Sequence, residues 1–562
     1  MPATAALHYA RDAYTAAPGV IFGRLRVSAD FFSAYAQHAG ADTLHCVAPT
    51  REDAADLGTR LTSAGVRKPL VWIPEARFES VSRCGALMIY SPKLTAYATA
   101  RHARRQDRAF SLVGVTHSLS GAVAARWMLD YVTAPIHPWD ALICTSRAAQ
   151  TMVRETIEAH RAYLAHRLGT VAPPHETLQL PVIPLGIDVS RFAETVESAS
   201  ARAQWRERLG IAADAVVALY LGRMSTRNKT NPFAMLRAAE IAAAQAPLTL
   251  IMAGLFDDEE AARGWREAAR LVSPSVACHF VDGRTLDSEP PLWPAADFFL
   301  SLIDNIQETF GLSPVEAMAA GLPVIASDWD GYRDTVEHGV TGFRAPTLMP
   351  GRPHGADLAI AAFEGGAPED THIPFVASVA QSTVIDIGAA AAAIACLAVD
   401  GERRAVMGRA ARERAKTLYD WPVVIAAYEA LFAQLADLRD SHARVETPGV
   451  PGLPPLYVDP FVQYRAFATR TLMPSDRLEV IAGPVAGFPG DLLIAQGGAE
   501  FRLSAEATAG LMARIAASPG VSVAEIVDAH PADERSVAMR TLAWLIKFDC
   551  VRVRGLGQTP IM

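Results

Sequence analysis

Short apolar runs of strand type recur along the chain, separated by stretches with helical start and stop signals. Ser111–Thr116, Val216–Leu221, Ala296–Leu302 and Leu322–Ser327 are such runs. Between the last two the spacing predicts a helix: Ser313 is placed to cap it, Pro314 suits the first helical position, Ala317 to Ala320 propagate it and Gly321 ends it. Pro323 forbids continuation. A strand, a helix and a strand in that order form a parallel unit, and the fold class expected is α/β.

Candidate chemistry collects around this unit. Glu308 and Glu316 stand eight positions apart with Gly311 between them, so one ligand can be faced from a loop and from the helix that follows. A helix N-terminus presents free N–H groups and the positive end of the dipole, which suits a phosphate or diphosphate, and Gly311 lets that ligand come close. A reading without a ligand stays open, because Ser313 and Glu316 also have capping-box spacing and an acidic residue in a polar loop such as 304–307 is commonly just solvated. Upstream, the Val216–Leu221 strand runs into a turn with three cations, Arg223, Arg227 and Lys229. Arg223 through its planar fork and Lys229 as a point charge can both reach a diphosphate. That turn and the later helix start both fall at the carboxyl edge of one parallel sheet, where such sheets bind ligands.

Leu221-Gly-Arg223 with Lys229, the stretch Glu308-Thr-Phe-Gly-Leu-Ser-Pro-Val-Glu-Ala-Met-Ala-Ala-Gly-Leu-Pro-Val-Ile-Ala, and Gly339-Val-Thr-Gly342-Phe resemble the retaining nucleotide-sugar glycosyltransferases of family four, over about residues 15 to 435. The resemblance implies a GT-B fold, two Rossmann-like domains facing across a cleft. It implies that Arg223 and Lys229 bind the donor diphosphate, that Glu316 binds the ribose hydroxyls and that Glu308 lies beside the donor sugar. Phe310, Gly311 and Leu312 would lie against the diphosphate and sugar. His117, at the end of its strand, would face the donor sugar across the cleft. Gly23 and Arg24, in the nearest match to a glycine-rich first loop, are weaker candidates for contact with phosphate or acceptor. The activity implied is transfer of a hexose from a nucleotide diphosphate to an acceptor hydroxyl with retention, without a metal ion or other cofactor. A phosphorylase or epimerase of the same fold, or a noncatalytic scaffold, stays open as an alternative. The chain also departs from the family's pattern. Where paired glycines and then a glutamate are usual, it has Asp330-Gly331-Tyr332-Arg333-Asp334, and Leu185 replaces a common asparagine in Pro181–Asp188, the expected interdomain crossing.

The expected organisation is an N-terminal Rossmann-like domain over 1–185, a donor domain over 186–418, a helix over 419–446 that returns to brace the first domain, a Pro/Gly linker over 447–460 and a small domain over 461–562. Residues 344–386 exceed what the fold requires and read as an insertion or lid. In the last domain a hairpin is expected over Leu492–Leu503, then helices over 505–516, 523–529 (capped by Ser522 with Glu525) and 534–548, and a strand over Cys550–Arg554. This order looks like a winged helix. Residues 491–562 carry seven Lys/Arg against eight Asp/Glu, however, so a protein or peptide partner is expected rather than nucleic acid.

Composition adds limits. The chain has 562 residues and a net charge of −8, which gives no global attraction to nucleic acid or anionic membrane. Its six scattered cysteines form no C-x-x-C pair and suggest reduced thiols and no structural zinc. The N-terminus lacks the pattern of a secretory signal, so a cytoplasmic location is expected, with peripheral membrane contact open because many members of the family use lipid-linked acceptors. The acceptor itself, whether glycan, lipid-linked or peptide, is not specified by the sequence.

Overall fold

The computed structural model describes residues 4–11, 23–170, 178–192, 198–351, 354–363, 368–442, 459–481 and 495–554. They form two compact units, Met1–Pro454 and Pro455–Met562. The first unit holds two six-stranded sheets in which every pair is parallel. One comprises β1 (Thr4–His8), β2 (Leu44–Ala48), β3 (Leu70–Pro74), β4 (Gly85–Ile89), β5 (Ser111–Val115) and β6 (Ala141–Ile143), in the order β3-β2-β1-β4-β5-β6. The other comprises β7 (Val216–Leu221), β8 (Leu248–Gly254), β9 (Ala277–Asp282), β10 (Phe298–Ser301), β11 (Val324–Ser327) and β12 (Gly342–Ala345), in the order β12-β11-β10-β7-β8-β9. Both sheets follow one doubly wound scheme, in which the first and fourth strands lie side by side and their onward connections diverge. This is the two-domain architecture expected of a GT-B fold. Apart from the edge strands β3, β9 and β12, the strands are apolar and almost wholly buried, as strands of a parallel sheet covered on both faces are.

The helices that shape the cleft are α1 (Gly23–His38), α2 (Arg147–Leu168), α3 (Leu312–Ala319), α4 (Tyr332–Thr335), α5 (Ala356–Phe363), α6 (Pro368–Gln381) and α7 (Trp421–Ser441). The chain crosses between domains twice, and the crossings pair with each other: Ile187 N donates to Tyr419 O at 2.8 Å and Trp421 N to Ile187 O at 3.0 Å. Gly186 is required there because a Cβ would sit 2.2 Å from the Trp421 ring. After the second crossing α7 returns to the N-terminal domain. Tyr428 packs on Phe31 of α1 at 5.2 Å between ring centroids, and Arg439 donates to Gly85 O at 2.8 Å and Ser111 Oγ at 3.0 Å. Among the described residues α7 is the helix long and apolar enough to cross a membrane, yet its Val424, Ile425, Phe432 and Leu435 are buried in the protein core.

The segment after β12 folds as α5 and α6, closed at its base by the antiparallel pair β13 (Thr347–Leu348) and β14 (Val384–Ile385). It reaches the N-terminal domain, where His372 of α6 hydrogen-bonds Ser120 Oγ at 3.1 Å.

A fully buried ion pair fixes the edge of the N-terminal sheet. Arg101 donates from Nη1 and Nη2 to the two carboxylate oxygens of Asp140, each at 2.7 Å, and the amides of Leu112 and His137 donate to the same oxygens. Asp140→Ala leaves the guanidinium and two amides buried without an acceptor, and should destabilise the chain by about 3–5 kcal/mol, read as a lower urea midpoint.

The second unit packs a three-stranded antiparallel sheet, β16-β15-β17, against three helices. The strands are β15 (Arg477–Val480), β16 (Val521–Ser522) and β17 (Val551–Val553), and the helices α8 (Ala505–Ala517), α9 (Val523–Asp528) and α10 (Arg535–Lys547). Leu478, Leu511, Ile515, Val523, Leu542 and Leu545 form its core. Ser522 and Glu525 make a full capping box on α9. The expected hairpin needs correction. Residues 492–494 lie outside the described residues, and Ala499–Phe501 is a short 3-10 turn entered through Gly498 at φ +69°. Helix α10 side chains take the hydrogen bonds a strand partner would supply: Arg540 donates to Phe501 O at 3.2 Å and Thr541 Oγ1 accepts from Leu503 N at 2.9 Å. The leading strand is instead β15, whose Arg477-Leu-Glu-Val alternation the sequence reading did not single out.

Candidate active site

Strands β7 and β10 are hydrogen-bonded neighbours, with Phe299 in register with Leu219, and they form the switch point of the second sheet. A crevice opens beyond the carboxyl ends of such a pair. The loop after β7 carries Arg223 and Lys229, and the loop after β10 carries Glu308. Thr230 ties the first loop to the second by donating from Oγ1 to Leu302 O at 2.7 Å. The loops meet in an ion pair in which Lys229 Nζ donates to Glu308 Oε2, both side chains being mostly buried. Burial pushes the Glu308 carboxyl up, but the Lys229 charge and hydrogen bond, helped by the amides of Phe310 and Thr309, outweigh it and hold the group below the usual carboxylate range. Arg223 is half-buried and, among the described residues, has no ion-pair partner. Arg227 is different: it is exposed and pairs with Asp257 at 3.5 Å. Residues 304–309 are not the solvated loop that composition suggested. Asp304 and Asn305 are buried, and burial pushes the Asp304 carboxyl up to about 7.

Helix α3 follows this loop and starts two residues earlier than expected. Its N-cap is Gly311 at φ +92°, which has no side chain to cap with, and Ser313 falls in the first turn. Ser313 is therefore not the N-cap from which a Ser313–Glu316 capping box would be built. Gly311 is dictated by its neighbour, since a Cβ would lie 2.0 Å from Cε1 of Tyr332. The Leu312 amide then heads the helix without a side chain in front of it. Phe310 is placed differently from expectation. Its ring is 2% exposed and packs edge-on against Tyr419 at 5.9 Å, so only its backbone faces Glu308.

On the other side of the cleft, His117 follows β5 and is anchored by Nε2 to the Tyr90 carbonyl at 3.2 Å, with its ring 4.9 Å from that of Tyr90. Helix α1 opens at Gly23; the side chains of residues 21–27, Arg24 among them, lie outside the described residues. Sequence reasoning missed the contacts that join the two domains beside Glu308. Thr145 Oγ1 donates to Thr309 O at 3.4 Å, Ser146 Oγ to Asp330 Oδ1 at 3.4 Å, and the Arg147 amide to Asp334 Oδ2 at 2.6 Å. A cavity of about 980 Å³ opens next to them, lined in part by Arg147, Met152, Asp330, Arg333 and Arg344. Asp330-Gly331-Tyr332, singled out only as a departure from pattern, was the available signal.

A cationic turn, a paired carboxylate and a helix N-terminus thus meet at the switch point of the second of two Rossmann-like domains, in the arrangement expected of a GT-B fold. Residues 215–356, within the second domain, match the family described as Glycosyl transferases group 1. Among curated proteins the chain is similar to a D-inositol 3-phosphate glycosyltransferase of Thermobispora bispora, 30% identical over 199 residues, which are 34% of this chain and 41% of that protein. A protein of the same name from Geodermatophilus obscurus is 31% identical over 220 residues, 38% of this chain and 44% of the relative. The chain thus spans less than half the length of the curated relatives it matches. Among solved structures, Anabaena Alr3699/HepE in complex with UDP aligns over 76% of this chain and 98% of its own, at 18% identity and a TM-score of 0.47.

Proposed function

We propose that this chain transfers a sugar, a hexose by preference, from a nucleoside diphosphate to an acceptor hydroxyl with retention at the anomeric carbon. The observation that carries the proposal is the meeting of Lys229 with Glu308 beside the Gly311 helix terminus, at the switch point of the donor domain. As the donor C–O bond breaks, negative charge grows on the leaving diphosphate. Arg223, Lys229 and the Leu312 amide end of α3 would stabilise it there, in a site whose dielectric is lowered by burial. Glu316, on the first turns of the same helix, is assigned to the ribose hydroxyls. Glu308, kept ionised by Lys229, is a hydrogen-bond acceptor for the donor sugar rather than a nucleophile, and His117 is assigned to the same sugar from the opposite domain. The 30–31% identity to named glycosyltransferases supports this reading of the donor half. The acceptor is assigned only by its reacting hydroxyl, and the C-terminal unit, lacking a basic stripe, is assigned to a protein or peptide partner in a cytoplasmic setting.

Because cationic side chains and helix amides are given the work of charge neutralisation, donor turnover should be unchanged by EDTA. In a thermal-shift panel, one nucleoside diphosphate or its sugar ester should stabilise the native chain and leave Lys229→Ala unmoved. An equal shift in both proteins, or turnover abolished by EDTA and restored by a divalent cation, would sink the assignment of roles.

A further inference from the structure

Asp330 is one of three described non-glycine residues with a positive φ. Its φ is +42°, a left-handed conformation that costs an L residue strain and that glycine accepts freely. Strain of this kind persists where the surroundings over-determine it, and such positions cluster in ligand sites. The surroundings here are those of Glu308. A Cβ on the next residue, Gly331, would lie 2.4 Å from Phe310 Cα, so the 330–331 backbone presses directly on the segment whose amides hold the Glu308 carboxylate. The Asp330 side chain leaves from that backbone and takes a 3.4 Å hydrogen bond from Ser146 of the opposite domain, between the Glu308 loop and the neighbouring cavity, whose lining includes Asp330 but not Glu308 or Lys229.

We propose that Asp330 is a specificity-determining residue of the donor site, its carboxyl group hydrogen-bonding a hydroxyl of the donor sugar beside Glu308 and so selecting among sugar epimers. The inference rests on the donor reading given above. Two further observations favour it over a purely structural role. The domains are already joined more tightly close by, by the amide and guanidinium of the adjacent Arg147 on Asp334 at 2.6 and 3.3 Å, so the longer Ser146–Asp330 contact adds little to holding them. Burial and the nearby Glu308 charge also push the Asp330 carboxyl well above the usual range, which favours a neutral acid that both donates and accepts. Beside an ionised Glu308 that only accepts, such a group distinguishes hydroxyls that two carboxylates would treat alike. Polar groups in a closed site discriminate strongly because a wrong epimer leaves them unpaired.

The test compares Asp330→Gly and Asp330→Asn with the native chain by titration calorimetry, using UDP and GDP and their glucose, galactose, mannose and N-acetylglucosamine esters. Glycine relieves the backbone strain, so the variant should fold and unfold at a temperature no lower than the native chain. It should bind the parent nucleoside diphosphate within about twofold of the native affinity, yet lose roughly tenfold or more of the preference for one sugar epimer over another. Asparagine, which still donates and accepts, should keep most of that preference. A glycine variant with native epimer preference would overturn the assignment, as would equal loss of nucleotide and nucleotide-sugar affinity, which marks a latch. Failure of the native chain to bind any of these nucleotides would instead bring down the donor reading itself, and the inference with it.

Discussion

Lys229→Ala should lower kcat/KM for donor turnover by roughly 100- to 1,000-fold, the loss seen when one preorganised partner of a developing negative charge is removed. Two effects add in the same direction. The diphosphate loses a cation, and Glu308, whose side chain is only 16% exposed, keeps its burial without the charge that offsets it. The second effect has a signature in pH. In the native chain Glu308 is held below the usual carboxylate range, so the acid limb of the rate profile should lie below that range, with activity present above it and lost as pH falls. Removing Lys229 leaves desolvation opposed only by the amides of Phe310 and Thr309 and must move that limb upward. Lys229→Arg should recover only part of the rate, because a planar fork does not reproduce a point charge seated on one carboxylate oxygen. Rates measured from about pH 3 to about pH 9 check both. An acid limb that stays in place in Lys229→Ala would show that the pairing does not govern Glu308 during turnover.

How far the sequence carried the site depended on how local each feature is. The runs at Val216–Leu221 and Leu322–Ser327 are continuous apolar stretches of central parallel strands, and a pattern of that kind survives any tertiary context. The pairing of Lys229 with Glu308 was reachable only as membership of one sheet edge, since seventy-nine residues separate them along the chain. What stayed hidden was set by packing at a distance. Ser313 has the chemistry of an N-cap, but Tyr332 occupies the space beside Gly311 and Gly311 takes the cap conformation, so local propensity was overridden. Phe310 sits in a site motif and yet buries its ring on Tyr419, because a strand-to-helix loop alternates inward and outward residues that a motif does not distinguish. The links of Thr145, Ser146 and Arg147 to the donor loops involve separations of 164 to 187 residues, and no local signal marks them. In the C-terminal unit the Gly497-Gly498 pair resembles a hairpin turn, but the backbone groups beyond it are satisfied by helix side chains and never reach a strand partner.

Gly311→Ala should be among the most damaging single-methyl changes available to this chain, and a second glycine isolates the reason. At Gly311 the new Cβ carries two burdens, a left-handed backbone at φ +92° and a contact of 2.0 Å with the ring of Tyr332. At Gly339 the backbone burden is nearly the same, φ +81°, but nothing lies within 4 Å. Gly339→Ala should therefore cost only the backbone strain, about 1–2 kcal/mol, with nucleotide binding intact. Gly311→Ala should cost that and an overpacking term of about 1–3 kcal/mol, because Tyr332 is buried and its hydroxyl is held by Ser301 Oγ at 3.0 Å, so the ring cannot swing away without breaking that bond. The displacement falls on the amides that head α3, so nucleoside diphosphate affinity should drop at least tenfold in Gly311→Ala alone. Adding Tyr332→Ala removes the clash but not the φ strain, and the double variant should be less destabilised than the sum of the two single changes. Urea denaturation of the four proteins with nucleotide titration of each decides the matter: strict additivity would mean that the ring does not press on this position, and that the N-terminus of α3 owes its geometry to something other than Tyr332.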